Sequence, residues 1–227
     1  MQNTLSPKSL VICAIILMGI SSAYSEEAAS SKIIAADTFT LDGKERVAGK
    51  PLANLITEEG DARWVANGET VFSPDGKVVT FRENASFVAA VAISQPDRAI
   101  VVQARVVPES SEWVAVGFQP EPSGEWFTSE LFVILPPNGI VELFGPQATS
   151  LFRQQLPKYS SAKPHTIALK YDPVTRMASV FVDGDQVIKP QEVSLSQPIG
   201  AAGFSSNVVN VAGDTWVDDF EVKEVAP

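Results

Sequence analysis

The sequence predicts an all-β fold, a two-sheet antiparallel β-sandwich, and three observations carry that prediction. Short apolar stretches recur along the whole chain after residue 36, each cut off by Gly, Pro, Asp or Asn. Within many of them apolar and polar residues alternate, the period of a strand with one face buried. Helical periodicity is sustained nowhere. Many short strands at near-regular spacing, joined by turn residues, point to a sandwich or barrel.

The chain opens on "MQNTLSPKSLVICAIILMGISSAYS", with one cation, an apolar run and a small-residue exit. This is the pattern of a secretory signal peptide cleaved after Ser25, and the apolar run is too short to span a membrane. Residues 26–35 read as a flexible lead, and 36–227 as a single domain, a length one large β-sandwich can fill. The only cysteine, Cys13, lies in the leader, so the mature domain has no disulfide and must be held by its core. Export to the periplasm or outside the cell is the expected location.

Strands are predicted at 37–41, 77–81, 86–93, 100–107, 113–118, 130–135 and 140–144, then at 151–156, 165–171, 178–182, 186–188, 199–204 and 215–222. Turns are legible between them. "SPDGK" (73–77), "PPNGI" (136–140), "YDPVTR" (171–176) and "VDGDQ" (182–186) supply the Asn-Gly and Asp-Gly pairs whose positive φ tight hairpins need. Asp183 and Asp185 therefore read as turn residues, not as a catalytic pair.

The stretch "HTIALKYDPVTRMASVFVDGDQVIKP" (165–190) resembles a segment of laminin-G-like, concanavalin A-like jelly-roll domains. "ADTFTLDG", "EWVAVGF", "IGAAGFSS" and "TWVDDFEV" resemble, in order, their first, central, penultimate and closing strands. The resemblance covers about Ala36 to Val225 and implies two stacked antiparallel sheets, one of them concave and holding sugars. It implies a glycan ligand, though one superfold hosts many functions.

Formal net charge is −10, one unit more negative once Lys8 leaves with the leader, and no Lys/Arg cluster occurs. Nucleic acid, which demands a basic patch, is excluded as the expected partner. Strand alternation places Gln103, Arg105, Glu142, Arg153 and Lys170 opposite core positions; if their strands share a sheet, they form one polar face that can hydrogen-bond sugar hydroxyls. The aromatic platform on which a sugar ring stacks is assigned to Trp126, in the loop "EPSGEWFTSE". Trp64, Trp113 and Trp216 are assigned to packing.

No strand carries the closely spaced acids of a retaining β-glucanase. His165 is the only histidine, which rules out a His-rich zinc site, and the resemblance makes it structural. Calcium, an oxygen-ligated ion, is the one cofactor to consider. If the first and last strands are neighbours, Asp37 approaches Asp218 and Asp219 and a structural calcium fits there. "NAS" at Asn84 matches a glycosylation sequon. The sequence thus favours an exported, non-catalytic module that binds a polysaccharide or glycan on one sheet face. The alternatives are a hydrolase of the 3-keto-disaccharide hydrolase type, for which Glu130 and Glu142 are the acids to test, and a structural or adhesion module.

Overall fold

The computed structural model describes residues 31–126, 129–209 and 213–225. The leader and the first half of the flexible lead, residues 26–30, lie outside these. The alternating stretches form fifteen strands in two antiparallel sheets, and the described residues contain no helix long and apolar enough to cross a membrane.

The first sheet is built on β6 (Ile100–Pro108) and β15 (Thr215–Glu224). On one side of β6 follow β11 (His165–Asp172), β12 (Met177–Val182) and β13 (Asp185–Glu192). The free edge of β15 is shared by β1 (Lys32–Asp37) and β4 (Val78–Val79), with β3 (Val71–Phe72) beyond β4. The second sheet runs β10 (Thr149–Gln155), β9 (Ile140–Gly145), β8 (Leu131–Leu135), β7 (Ser111–Gln119), β14 (Ala201–Val208), β5 (Ala85–Ala92) and β2 (Trp64–Ala66).

Most expected strands are present with edges moved by a few residues. The first is displaced: β1 pairs with β15 from Lys32 onward, where the sequence suggested a flexible lead. Chain direction changes after Asp37, since Phe39 has a φ of 54° that no strand continues through. β2 and β3, three and two residues long, are too short to show a period.

The core lies between the sheets, where Val102, Ala104, Val106, Val217 and Phe220 of one meet Val116, Phe118, Val133 and Phe204 of the other, all at most 1% exposed. Trp64, Phe204, Phe220 and Phe39 form an aromatic cluster at its centre, with ring centroids 5.0–5.9 Å apart. The Asp183–Gly184 hairpin between β12 and β13 has positive φ at both residues, 53° and 85°. Asp183 also ties that hairpin to β11, accepting from the Thr166 N–H at 2.9 Å and lying 2.7 Å from His165 Nδ1. His165 Nε2 faces the Ser160 carbonyl at 3.0 Å, and the ring stacks on Tyr159. Both ring nitrogens are thereby engaged in holding a turn.

Candidate functional site

The outward face of the second sheet is ordered in cross-strand rows. One row runs Val88 (β5), Ser205 (β14), Ala115 (β7), Ile134 (β8), Glu142 (β9) and Arg153 (β10). The row beside it runs Ala90, Gly203, Gly117, Phe132 and Phe144. Small residues on β5, β14 and β7 leave a hollow, and large aromatic ones on β8 and β9 wall it. Gly117 is required by this packing, because a Cβ there would come 2.5 Å from Phe132 Cβ and 2.6 Å from the Leu131 carbonyl oxygen. Phe132 stacks on Phe144 with centroids 4.9 Å apart and planes 9° apart.

Trp126, half-buried, meets Phe132 edge-on at 5.6 Å. Together with Trp113 and the two phenylalanines it lines a cavity of about 730 Å³ over this face. A second cavity of about 740 Å³ shares Ser129 and Gln147 with it and continues toward Gln95 and Ser196. Phe127 lies outside the described residues. Trp113, assigned to packing from the sequence, belongs to the cavity wall because β7 points its odd-numbered residues outward.

The polar set expected to share one face is divided between the two sheets. Glu142 and Arg153 lie on the Trp126 sheet, 2.6 Å apart as an ion pair across β9 and β10. Gln103, Arg105 and Lys170 lie on β6 and β11, which pair with each other in the opposite sheet. The single-face arrangement is therefore corrected: no one surface gathers all five, because the long connection from β10 to β11 crosses from one sheet to the other.

The acids singled out for catalysis both have partners. Glu130 accepts from the Ser196 N–H at 2.8 Å, the Ser196 hydroxyl at 2.6 Å and the Gln197 N–H at 3.3 Å, which anchors the loop before β14. Glu142 is held by Arg153.

The expected calcium ligands do not fit the ion. β1 does neighbour β15, with Asp37 opposite Phe220. Asp37, 1% exposed, already receives two bonds from the Arg46 guanidinium, at 2.6 and 2.8 Å, one from Trp64 Nε1 at 2.9 Å and one from the Phe39 N–H at 2.8 Å. Arg46 is the counter-charge, and its own pKa is raised by the bond to Asp37. Asp218 and Asp219 sit at a bulge in β15, where both approach Arg105 at 3.8 and 3.7 Å. Burial, then the neighbouring Asp219, pushes the Asp218 carboxyl up. Among the described residues no group of three or more His, Cys, Asp or Glu side chains is placed to hold a metal.

No family model matches the chain, and no curated protein matches it either. Solved structures do. The carbohydrate recognition domain of Emp47p aligns with a TM-score of 0.57 at 11% identity, covering 78% of this chain and 93% of that one. A Bacillus subtilis protein of unknown function with a galectin-like fold aligns at 0.58 and 13% identity, covering 87% and 100%. The carbohydrate-binding module CBM66 of Bacillus subtilis aligns at 0.52 and 10%, covering 71% and 95%. At these identities the likeness is one of fold: the two-sheet β-sandwich is shared with a carbohydrate recognition domain, a carbohydrate-binding module and a galectin-like fold.

Proposed function

We propose that this protein is an exported, non-catalytic module that binds a carbohydrate on the outward face of the β10–β2 sheet. The observation that carries the reading is the aromatic-walled cavity above that face. Trp126 and Trp113 offer flat apolar surfaces to the C–H face of a sugar ring, a contact in which apolar area is removed from water without charge. The Glu142–Arg153 pair, on the same sheet, offers polar atoms to hydroxyls beyond the ring. Gln103, Arg105 and Lys170 have no part in this site.

The fold supports the reading, since similar solved structures include carbohydrate recognition domains and a carbohydrate-binding module. Export is proposed on the leader pattern. The absence of catalysis is proposed because Glu130 is tied to the Ser196 loop, Glu142 is paired with Arg153, and neither acid lines the Trp126 cavity.

The test is a glycan and polysaccharide array probed with the protein and with Trp126→Ala, beside an assay for reducing-sugar release. Binding that falls at least about tenfold in the variant, as loss of a stacked ring implies, with no sugar release, is the expected result. Release of reducing sugar would make the hydrolase reading correct. Binding to no glycan at all would favour a structural or adhesion module.

A further inference from the structure

We propose that the sugar seated in this cavity carries an acetamido group, so that the ligand class is a glycan containing N-acetylhexosamine. The inference rests on the carbohydrate reading above and names its ligand more closely. It starts from two buried polar atoms of the cavity wall that have no hydrogen-bond partner among the described residues, Trp126 Nε1 and Ser205 Oγ. Ser205 is fully buried at the sheet surface. A buried polar group left unpaired is costly, and native structures rarely keep one without a use.

The chemistry of the pair is selective. An indole N–H only donates, whereas a serine hydroxyl donates and accepts. An amide answers both, because its carbonyl accepts from Trp126 and its N–H donates to Ser205. Its methyl group then has an apolar seat against Val88, Ile134, Phe132 and Phe144, which line the same cavity. A lipid or other wholly apolar ligand would fill that seat and leave both polar atoms unpaired.

Two of the other polar side chains of the wall are engaged with the protein itself. The Asn67 side chain is already engaged, donating to the Ser86 carbonyl at 2.8 Å and accepting from the Thr70 hydroxyl at 2.6 Å. The Ser86 hydroxyl is spent on Asn207 Oδ1 at 3.1 Å. Among the described residues no Lys or Arg lines the cavity, so a uronate or sulfate would enter without a counter-charge. Ser205 is fully buried, so seating the acetamido group against it requires a side-chain adjustment of the kind usual on binding.

The experiment is isothermal titration calorimetry with sugars that differ only at this group: triacetylchitotriose against cellotriose, and N-acetyllactosamine against lactose, with the deacetylated chitotriose as a third arm. The acetylated sugar of at least one pair should bind about tenfold tighter or more, as two added hydrogen bonds and a buried methyl group imply. Ser205→Ala and Trp126→Phe should each cut that preference by about three- to tenfold, one hydrogen bond's worth, and Ser205→Ala should keep its affinity for the unacetylated sugar within about twofold. Ser205→Ala removes an unpaired buried hydroxyl, so it should fold at least as stably as the parent, and a lost preference cannot be put down to unfolding.

Equal affinity within both pairs, a preference that survives both substitutions, or binding of the deacetylated sugar as tight as the acetylated one overturns the inference and leaves the carbohydrate reading standing. Binding of other glycans on the array but of no acetylated sugar does the same. Failure of every glycan to bind removes both.

Discussion

Replacing Arg46 with Met tests the assignment of Asp37 as a structural ion rather than a metal ligand. Asp37 is 1% exposed and receives four hydrogen bonds, two of them from Arg46, whose own side chain is 10% exposed. Arg46→Met keeps most of the side chain's apolar length and removes the two charge-assisted bonds to Asp37, together with the bonds Arg46 donates to the Ile56 carbonyl at 2.7 Å and to Glu58 at 3.2 Å. What remains is a carboxylate in the core with the Trp64 and Phe39 N–H groups alone to hold it. Breaking a buried pair by removing one partner costs about 3–5 kcal/mol, and the two surviving donors place the expected loss at the lower end, about 3 kcal/mol. In a domain of this size that lowers the melting temperature by roughly 6–12 °C. Urea unfolding followed by tryptophan fluorescence reads it directly, because Trp64 sits on Asp37. In the double variant Asp37→Leu/Arg46→Met the loss should be smaller than the sum of the two single losses, since no charge is then stranded. A loss below about 1 kcal/mol for Arg46→Met, the range of exposed pairs, would refute the reasoning and show that Asp37 finds another counter-charge.

Other outcomes follow from the same geometry. Adding calcium or a chelator should leave the melting temperature unchanged, because the two oxygens of Asp37 are occupied by Arg46 and Trp64; a shift of several degrees, seen by scanning fluorimetry, would restore calcium to the fold. Gly117→Ala should cost about 1–3 kcal/mol by overpacking and weaken glycan binding, since its Cβ would force Phe132 out of the cavity wall; denaturation and calorimetry on one preparation check both. Acid should weaken the fold through Glu58. Burial raises the pKa of Glu58, but bonds from the Thr38 hydroxyl and the Thr38 and Thr40 N–H groups outweigh it and hold the group below 4.5. Its contribution is complete above 4.5, its ordinary value, and is lost as pH falls through the lower folded value. Asp218 has the opposite sign: its raised folded value makes ionisation a cost that disappears below 3.8. Glu58→Gln should therefore flatten the fall in urea midpoint below pH 4.5, and an unchanged slope would contradict the assignment.

The fold was legible because alternation is a local signal. Val102, Ala104 and Val106 face inward and Arg105 outward as the period of two requires, and the Asp-Gly hairpin falls at 183–184 as its φ preference dictates. β2 and β3 escaped notice because two or three residues hold no period. The partition of polar residues between sheets was not legible, since alternation gives the face of a strand but not the sheet it joins, and β9–β10 and β6–β11 are separated by long-range pairing. Trp126 stood out as a large aromatic in a Pro/Gly/Ser-rich loop. Trp113 did not, because an outward tryptophan on a strand is indistinguishable in sequence from one at a sheet edge. Ser205 carries no local signal at all: its place in the cavity wall depends on which residues the folded chain brings around it. Arg46, the partner of Asp37, lies in an irregular stretch whose path only the folded chain defines.

The central claim is that a glycan lies on the outward face of the β10–β2 sheet. The most direct measurement is an NMR titration of the isotope-labelled protein with the best sugar from the array. The account predicts saturable shifts of the Trp126 and Trp113 indole N–H signals and of the Ser205 amide, with the Gln103, Arg105 and Lys170 amides on the opposite sheet unmoved. Shifts confined to that opposite sheet, or no shift with any glycan, would contradict it.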